Sequence, residues 1–469
     1  MKKEQKLLLE TFYYGFGRFG SKIISFFLLP VFTHFLTTQD YGFLELINTT
    51  GKIITPLITF EISKALFRFS MDKSLSKKVV FSTTFNFAFL SSLVFISIAF
   101  VITSFNLISY DYLWIIVAMY LLTVFNNIHL QFLRATDNIK LFATMGIIST
   151  LLSALLSILF IVTFRLGYIG IIISSILTSL ISILIVLLLS RQYKYYDSKI
   201  LNTNLLKQML IYTIPLLPNS MSWWIINLSD RFILKFYSGM DNLGIYSIAN
   251  KFTSIYMIFL SVFYSAWQVQ AIENYNSPDR DKYYSKVFNF FIFIQLTLIM
   301  AGSTIIRPLV KIMVTPAFHP SIVYIPILFT GTLFYGLSSF LGTGYLSSKK
   351  TGAAFSTTIY AAAVNLVLNL LFIPHFGIWG ATCSTLIAYI ILFISRLIST
   401  KKFFTIKVKV KHFLLGLLLN TIIVSITIVS DKPWIYPINI SIILFWILIN
   451  KKSVYGFYSL LSGIFRRKT

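Results

Sequence analysis

About fourteen apolar runs follow one another along this chain, each close to the length a helix needs to cross a bilayer, with no gap long enough for a separate soluble domain. A crossing helix needs about 20 residues, because each adds about 1.5 Å against a hydrocarbon core of about 30 Å. The runs lie near 11–36, 42–66, 79–105, 112–133, 141–164, 167–190, 210–236, 243–270, 286–312, 322–346, 353–373, 377–398, 412–429 and 434–450. In hydrocarbon every backbone N–H and C=O must be satisfied within the segment, so such runs become helices. The fold class expected is therefore all-α and polytopic, and a residue content 57% hydrophobic and only 12% charged agrees with it.

A net charge of +25 raises the question of nucleic acid. Nucleic-acid proteins cluster Lys and Arg on a polar folded surface, whereas here the cations fall in short turns between apolar runs, so no nucleic-acid partner is expected. Their placement obeys the positive-inside rule with both termini cytoplasmic. Lys73, Lys77 and Lys78, then Arg134 and Lys140, Arg191, Lys194 and Lys199, Arg280 and Lys282, Lys349 and Lys350, and Lys401 through Lys411 all fall on one side. The opposite turns, such as 37–40, 106–111 and 238–242, are poor in cations, with Arg165 and Lys432 as exceptions. The basic start MKKEQK leads into an apolar stretch too long for a cleavable signal core, which reads as a retained first span. Cys383 is the single cysteine, so no intrachain disulfide and no cysteine metal site can form.

The runs repeat with a period of about 210 residues, or six spans. FLRATDNIKLF at 132–142 resembles YLSSKKTGAAF at 345–355, and Gly167-Tyr-Ile-Gly170 corresponds to Gly377-Ile-Trp-Gly380. The turn before Tyr41-Gly42 matches the one before Gly244-Ile-Tyr246, with Lys52 and Lys251 following at similar distances. Two six-helix lobes are expected, 1–200 and 201–400, in the same orientation about an axis along the membrane normal, with two further helices and a basic tail at 401–469.

Charges inside the spans are costly, about 2.5 to 3.5 kcal/mol at the centre, so they should face protein or water. Arg18 and Lys22 are four apart on one helical face, and Lys22, Lys52 and Lys251 are placed near mid-membrane. With Arg231 they form a candidate cationic cavity suited to a phosphate or pyrophosphate, unless the long side chains snorkel to an interface. Asp230 adjoins Arg231 and either neutralises it, coordinates a cation or exchanges a proton. Asn365 and Asn369 share a face of the eleventh span and Thr385 lies on the twelfth; such oxygens suit Na⁺ and also join helices. Glu45, and Glu61 with Lys64, read as structural ion pairs or loop-edge charges, and Arg307 and Lys311 as interfacial anchors.

Enzyme signatures are weak. Asp279-Arg280-Asp281 has the DxD form of glycosyltransferases but lies in a short turn with no nucleotide-binding domain around it. His34, His129, His319, His375 and His412 show no metal spacing, and a Walker A sequence is absent, so no cofactor is expected beyond an ion or the membrane potential.

With Tyr41-Gly42, Ala65-Leu-Phe-Arg68, Leu133-Arg-Ala-Thr136, Pro215 through Asp230-Arg231-Phe232, Gly244-Ile-Tyr246, Lys251 and Tyr324-Ile-Pro326 in this order, the chain resembles the polysaccharide transporter family. These are Wzx-like oligosaccharide flippases of the multidrug/oligosaccharidyl-lipid/polysaccharide exporter superfamily, and the likeness covers about residues 10–410. It implies alternating access in a bacterial cytoplasmic membrane, moving an undecaprenyl-pyrophosphate-linked oligosaccharide outward for capsule, O-antigen or similar polymers. Membrane lipids and the pathway's polymerase and glycosyltransferases are the partners it implies. In lipid II flippases of the superfamily a Na⁺ site lies near spans 7, 11 and 12. Asp230, Asn365 and Thr385 are similar to it, whereas Asn369 stands where those proteins have an acid. The alternatives are a multidrug or cation antiporter of the same superfamily, disfavoured by the excess of interior cations, and a glycan polymerase or glycosyltransferase.

Overall fold

The structure is a computed structural model that describes residues 20–72, 74–105, 112–136, 138–348 and 351–451. Helices account for nearly all of it, and no strand occurs among the described residues. Ten helices among the described residues are long and apolar enough to cross a membrane. One of these, over Leu228–Glu273, is part of a longer helix, Leu217–Glu273, that carries the 243–270 span and most of the 210–236 span, and with Gly20–Phe35, Thr38–Thr59 and Ile435–Ile449 the total comes to about fourteen.

The first unit, Met1–Phe232, contains α1 (Gly20–Phe35), α2 (Thr38–Thr59), α3 (Ile62–Ser70), α4 (Lys77–Ser104), α5 (Leu113–Ala135), α6 (Ile139–Ile158), α7 (Gly167–Ser190), α8 (Thr203–Thr213) and the start of α9 (Leu217–Glu273). The second unit, Ile233–Thr469, contains the rest of α9, then α10 (Arg280–Met313), α11 (Ile325–Ser347), α12 (Thr351–Phe376), α13 (Ile378–Ser399), α14 (Val410–Val429) and α15 (Ile435–Ile449). Thr37 starts α2 with a capping box, its hydroxyl accepting from Asp40 N–H while Asp40 accepts from Thr37 N–H.

Two expected boundaries come out differently. The run 42–66 is not one helix: Pro56 supplies no amide, Phe60 and Glu61 turn left-handed, and the chain restarts as α3. The turn expected at 238–242 shrinks to Gly239 alone, at φ 82 and ψ 176, so that helix continues on both sides of it. Only a residue without a Cβ reaches that backbone geometry without strain, and a glycine there makes a one-residue corner sufficient.

The six-span period is visible in local geometry. Gly167 and Gly377 both have φ +54, where α7 and α13 begin. Three residues on, Gly170 and Gly380 touch the end of the preceding helix: an added Cβ would lie 3.0 Å from Phe160 Cβ and 2.5 Å from Phe372 O, respectively. Within the first unit α5 packs on α7, and within the second α11 packs on α13.

A second correspondence lies in the segments that leave these helices. In the first unit Ser82 Oγ on α4 accepts from Asp197 N–H at 2.9 Å, and Asn86 Nδ2 donates to the carbonyls of Asp197, Ser198 and Ile200. In the second, Ser285 Oγ on α10 accepts from Lys407 N–H at 2.9 Å, and Asn289 Nδ2 donates to Lys407 O at 2.8 Å. The sequence carries the signal: Ser82-Thr-Thr-Phe-Asn-Phe87 and Ser285-Lys-Val-Phe-Asn-Phe290 share serine and asparagine four apart, on one helical face.

The last two helices are fastened to the rest of the second unit by polar contacts as well as by packing on α10. Arg307 donates to Thr427 O at 2.6 Å and 3.1 Å, Asn420 Nδ2 donates to Thr330 Oγ1 at 3.0 Å, and Trp446 Nε1 donates to Thr297 Oγ1 at 3.1 Å. Arg307 thus ties α10 to α14, beyond the interfacial anchoring expected of it.

Candidate functional site: a polar seam between the second and seventh spans

Within the first unit, α2 with the break that follows it meets the start of α9 along polar contacts that run in opposite sequence order, so α2 and α9 are antiparallel. Arg231 Nε donates to Glu45 Oε1 at 2.8 Å, Trp224 Nε1 donates to Thr49 O at 2.9 Å, and Ser220 Oγ donates to Glu61 Oε1 at 2.6 Å. Glu45, Thr49 and Lys52 are spaced four and three apart, hence on one face of α2. The same helix is held from α5 by Tyr120, whose hydroxyl donates to Ile47 O at 2.7 Å.

Arg231 is the hub. Its Nη1 also donates to Asp230 Oδ1 at 2.8 Å, so one guanidinium bridges a carboxylate on its own helix and one on α2. Asp230 is 3% exposed and Arg231 6%. A buried charge is tolerated only when paired and hydrogen-bonded, and the planar guanidinium offers donors in two directions at once. Asp230, Arg231 and Glu45 therefore form one buried ion network, and Glu45 pairs across helices instead of standing as a loop-edge charge.

The other candidates are distributed as follows. Arg18 lies outside the described residues. Lys22 on α1 and Lys52 on α2 are exposed, and α1 is tied to α6 beside Lys22 by Ser21 Oγ, which donates to Gly146 O at 3.0 Å. Lys251 lies in the second unit, on α9 beyond Gly239, and is half-buried. Asn365 and Asn369 on α12 are fully buried, with Asn369 Nδ2 donating to Asn365 Oδ1 at 3.0 Å. Asn369 Oδ1 and Thr385 Oγ1 are buried and have no hydrogen-bond partner among the described residues. Such orphaned oxygens fit a cation, because each is an acceptor taken from water and left unsatisfied. The carboxylate proposed to join them, Asp230, lies in the first unit and is already engaged by Arg231.

One buried charge gave no signal in the sequence reading. Arg396 on α13 is 6% exposed and donates to Ser338 O at 2.9 Å and to the hydroxyls of Thr358 and Thr357. It binds α11, α12 and α13 together. Gly342 leaves it room, since an added Cβ there would lie 2.8 Å from Nη1. Arg396 lies two residues from the end of the run 377–398, and the sequence pattern of that one helix carries no sign that it points inward. In the DxD turn, Asp281 is paired with Arg280 at 2.8 Å.

A family described as polysaccharide biosynthesis protein matches residues 7–268. No curated protein matches the chain in sequence. Among solved structures the chain is similar to the lipid II flippase MurJ in an inward closed conformation, at a TM-score of 0.71 and 16% identity over 97% of this chain and 99% of that one. It is also similar to an inward-facing multidrug resistance MATE transporter of the MOP superfamily, at a TM-score of 0.60 and 12% identity over 88% and 96% of the two chains. The Vibrio cholerae MATE transporter VcmN, in its bent form, gives a TM-score of 0.54 and 15% identity over 85% and 96%.

Proposed function

Because the chain belongs to the polysaccharide biosynthesis protein family, we propose that it is a flippase that moves an undecaprenyl-pyrophosphate-linked oligosaccharide from the cytoplasmic to the outer leaflet of a bacterial cytoplasmic membrane by alternating access. A head group bearing many hydroxyls and a pyrophosphate cannot cross hydrocarbon without giving up its hydrogen bonds to water, and each one lost costs a few kcal/mol. A polar path lined by protein removes that barrier. The observation that carries the proposal is the match over residues 7–268, the part of the chain that holds the charged seam of α2 and α9. The fold shared with a lipid II flippase over nearly the whole chain supports it.

In this reading Lys22, Lys52 and Lys251, with Arg18, attract the pyrophosphate, while Arg231 holds α2 and α9 in register. Coupling runs through Na⁺ at Asn365, Asn369 and Thr385, through a proton at Asp230, or through the membrane potential acting on the anionic head, worth about 2.3 kcal/mol per charge per 100 mV. The polymerase and glycosyltransferases of the same pathway are the partners it calls for.

The test is surface glycan export in a strain whose own copy is replaced by variants. Lys52→Ala together with Lys251→Ala should cut export by at least tenfold while the protein still inserts at normal abundance. Full export by the double variant would remove the cationic path from the account.

A further inference from the structure

We propose that the break between α2 and α3 builds a subsite for the hydroxyl groups of a sugar ring in the first unit, an inference that rests on the flippase reading above. Phe60 (φ 50) and Glu61 (φ 58) are consecutive left-handed residues, and neither is glycine. Each such residue costs about 1–2 kcal/mol, and strain of this kind persists only where the surrounding structure enforces it. Glu61 N–H reaches back to Pro56 O at 3.1 Å, which closes α2 and turns the chain before α3 begins.

The break borders a cavity of about 120 Å³ between α2, α3 and α5. Thr55, Thr59, Glu61, Ser63, Thr123 and Asn127 give it a polar lining, with apolar walls from Val124 and Ile128. Most of the hydroxyl protons are already used. Thr55 donates to Gly51 O at 2.7 Å, Thr59 to Thr55 O at 3.3 Å and Thr123 to Met119 O at 2.7 Å, so their oxygens are left as acceptors. Asn127 Nδ2 donates to Ser63 Oγ at 3.3 Å. Glu61 is 8% exposed, and its Oε1 takes both Lys64 Nζ at 2.7 Å and Ser220 Oγ at 2.6 Å. Its Oε2 has no partner among the described residues.

The Ser63 hydroxyl proton and the second Asn127 N–H remain as donors, but acceptors outnumber them, so the cavity calls for a ligand that mainly donates and can also accept. A cation would satisfy the acceptors alone, but the Lys64 ammonium already balances the Glu61 carboxylate, so a second positive charge would meet repulsion. Neutral hydroxyls meet none. A sugar ring offers adjacent hydroxyl donors together with an apolar C–H face, which matches both the polar lining and the walls. The volume admits part of one ring and excludes a chain of several, so the subsite would hold a single residue of the head group.

The experiment measures binding of two lipids to the purified full chain: undecaprenyl pyrophosphate, and the same lipid carrying the oligosaccharide extracted from the producing strain. Thr123→Val, which keeps side-chain shape and removes the hydroxyl, and Asn127→Leu should each weaken binding of the glycosylated lipid about tenfold and leave the bare lipid unchanged. Thr123→Ser should restore the wild-type value. Unchanged binding of the glycosylated lipid, equal losses on both lipids, or a change only in Na⁺ dependence would overturn the subsite and leave a water-filled or cation-binding break. Failure of the wild-type chain to bind either lipid would overturn the flippase reading and the subsite with it.

Discussion

Arg231 shows how a charge survives in an apolar helix: it is shared between two acids, one adjacent in sequence and one 186 residues away. Removing it strands buried carboxylates, and breaking a buried pair from one side costs about 3–5 kcal/mol. Arg231→Gln should therefore lower the unfolding temperature in detergent markedly, and adding Glu45→Gln should return part of the loss. That non-additivity is the readout, since residues in one network couple whereas independent ones sum. Strictly additive losses would mean that the bridge carries no energy. A lesser effect is expected at Thr385: if its orphaned hydroxyl serves a cation, Thr385→Val should abolish any Na⁺ dependence of transport without loss of thermal stability. Transport by the variant that keeps the Na⁺ response of wild type would exclude it.

At the scale of elements, the paired loop latches are the testable feature. Asn86→Ala removes the donor to three carbonyls of the segment after α7, and Asn289→Ala breaks the equivalent hold after α13. Each should speed hydrogen exchange in its own segment, 191–202 or 403–409, by roughly the factor of five to ten that about 1 kcal/mol of lost hydrogen bonding gives. Lys78 donates to the Asp197 carboxylate at 2.9 Å and, with the Lys199 amide, holds its pKa below the usual carboxylate range. A depressed acid stabilises the fold above its unfolded pKa, near 4, and loses that contribution as pH falls through the folded value. Protease sensitivity of 191–202 should thus rise only below about pH 4, and Asp197→Asn should remove that rise. The spans themselves were legible because length and apolarity decide them, and the Gly167 and Gly377 turns because glycine marks a backbone geometry. The break at Phe60 and Glu61 was hidden: neither residue type announces a left-handed turn, and Pro56 precedes it by a full helical turn. The sequence around Gly239 reads as a five-residue loop because several polar residues there resemble turn chemistry, yet they continue the helix. Arg396 and the Glu45–Arg231 pair depend on which faces meet, information that periodicity along one helix does not contain.

At the scale of the whole molecule, an apolar all-helical fold carries a small set of buried or mid-span charges, and the proposed transport of a polar head group past hydrocarbon rests on both. An inside-negative potential favours outward movement of an anion, so dissipating it with an ionophore should slow export in cells several-fold; an unaffected rate would leave coupling to an ion gradient. The sharpest test is leaflet accessibility of the lipid-linked oligosaccharide in vesicles reconstituted with the purified chain. The substrate is placed in one leaflet, and its exposure in the other is followed with a membrane-impermeant glycan-modifying enzyme. Exposure should rise with time only in vesicles that contain the chain, and should slow at least tenfold with Lys52→Ala and Lys251→Ala together. Exposure no faster than in protein-free vesicles, alongside efflux of a cationic aromatic dye by the same preparation, would contradict flippase activity and give the chain the activity of a multidrug transporter instead.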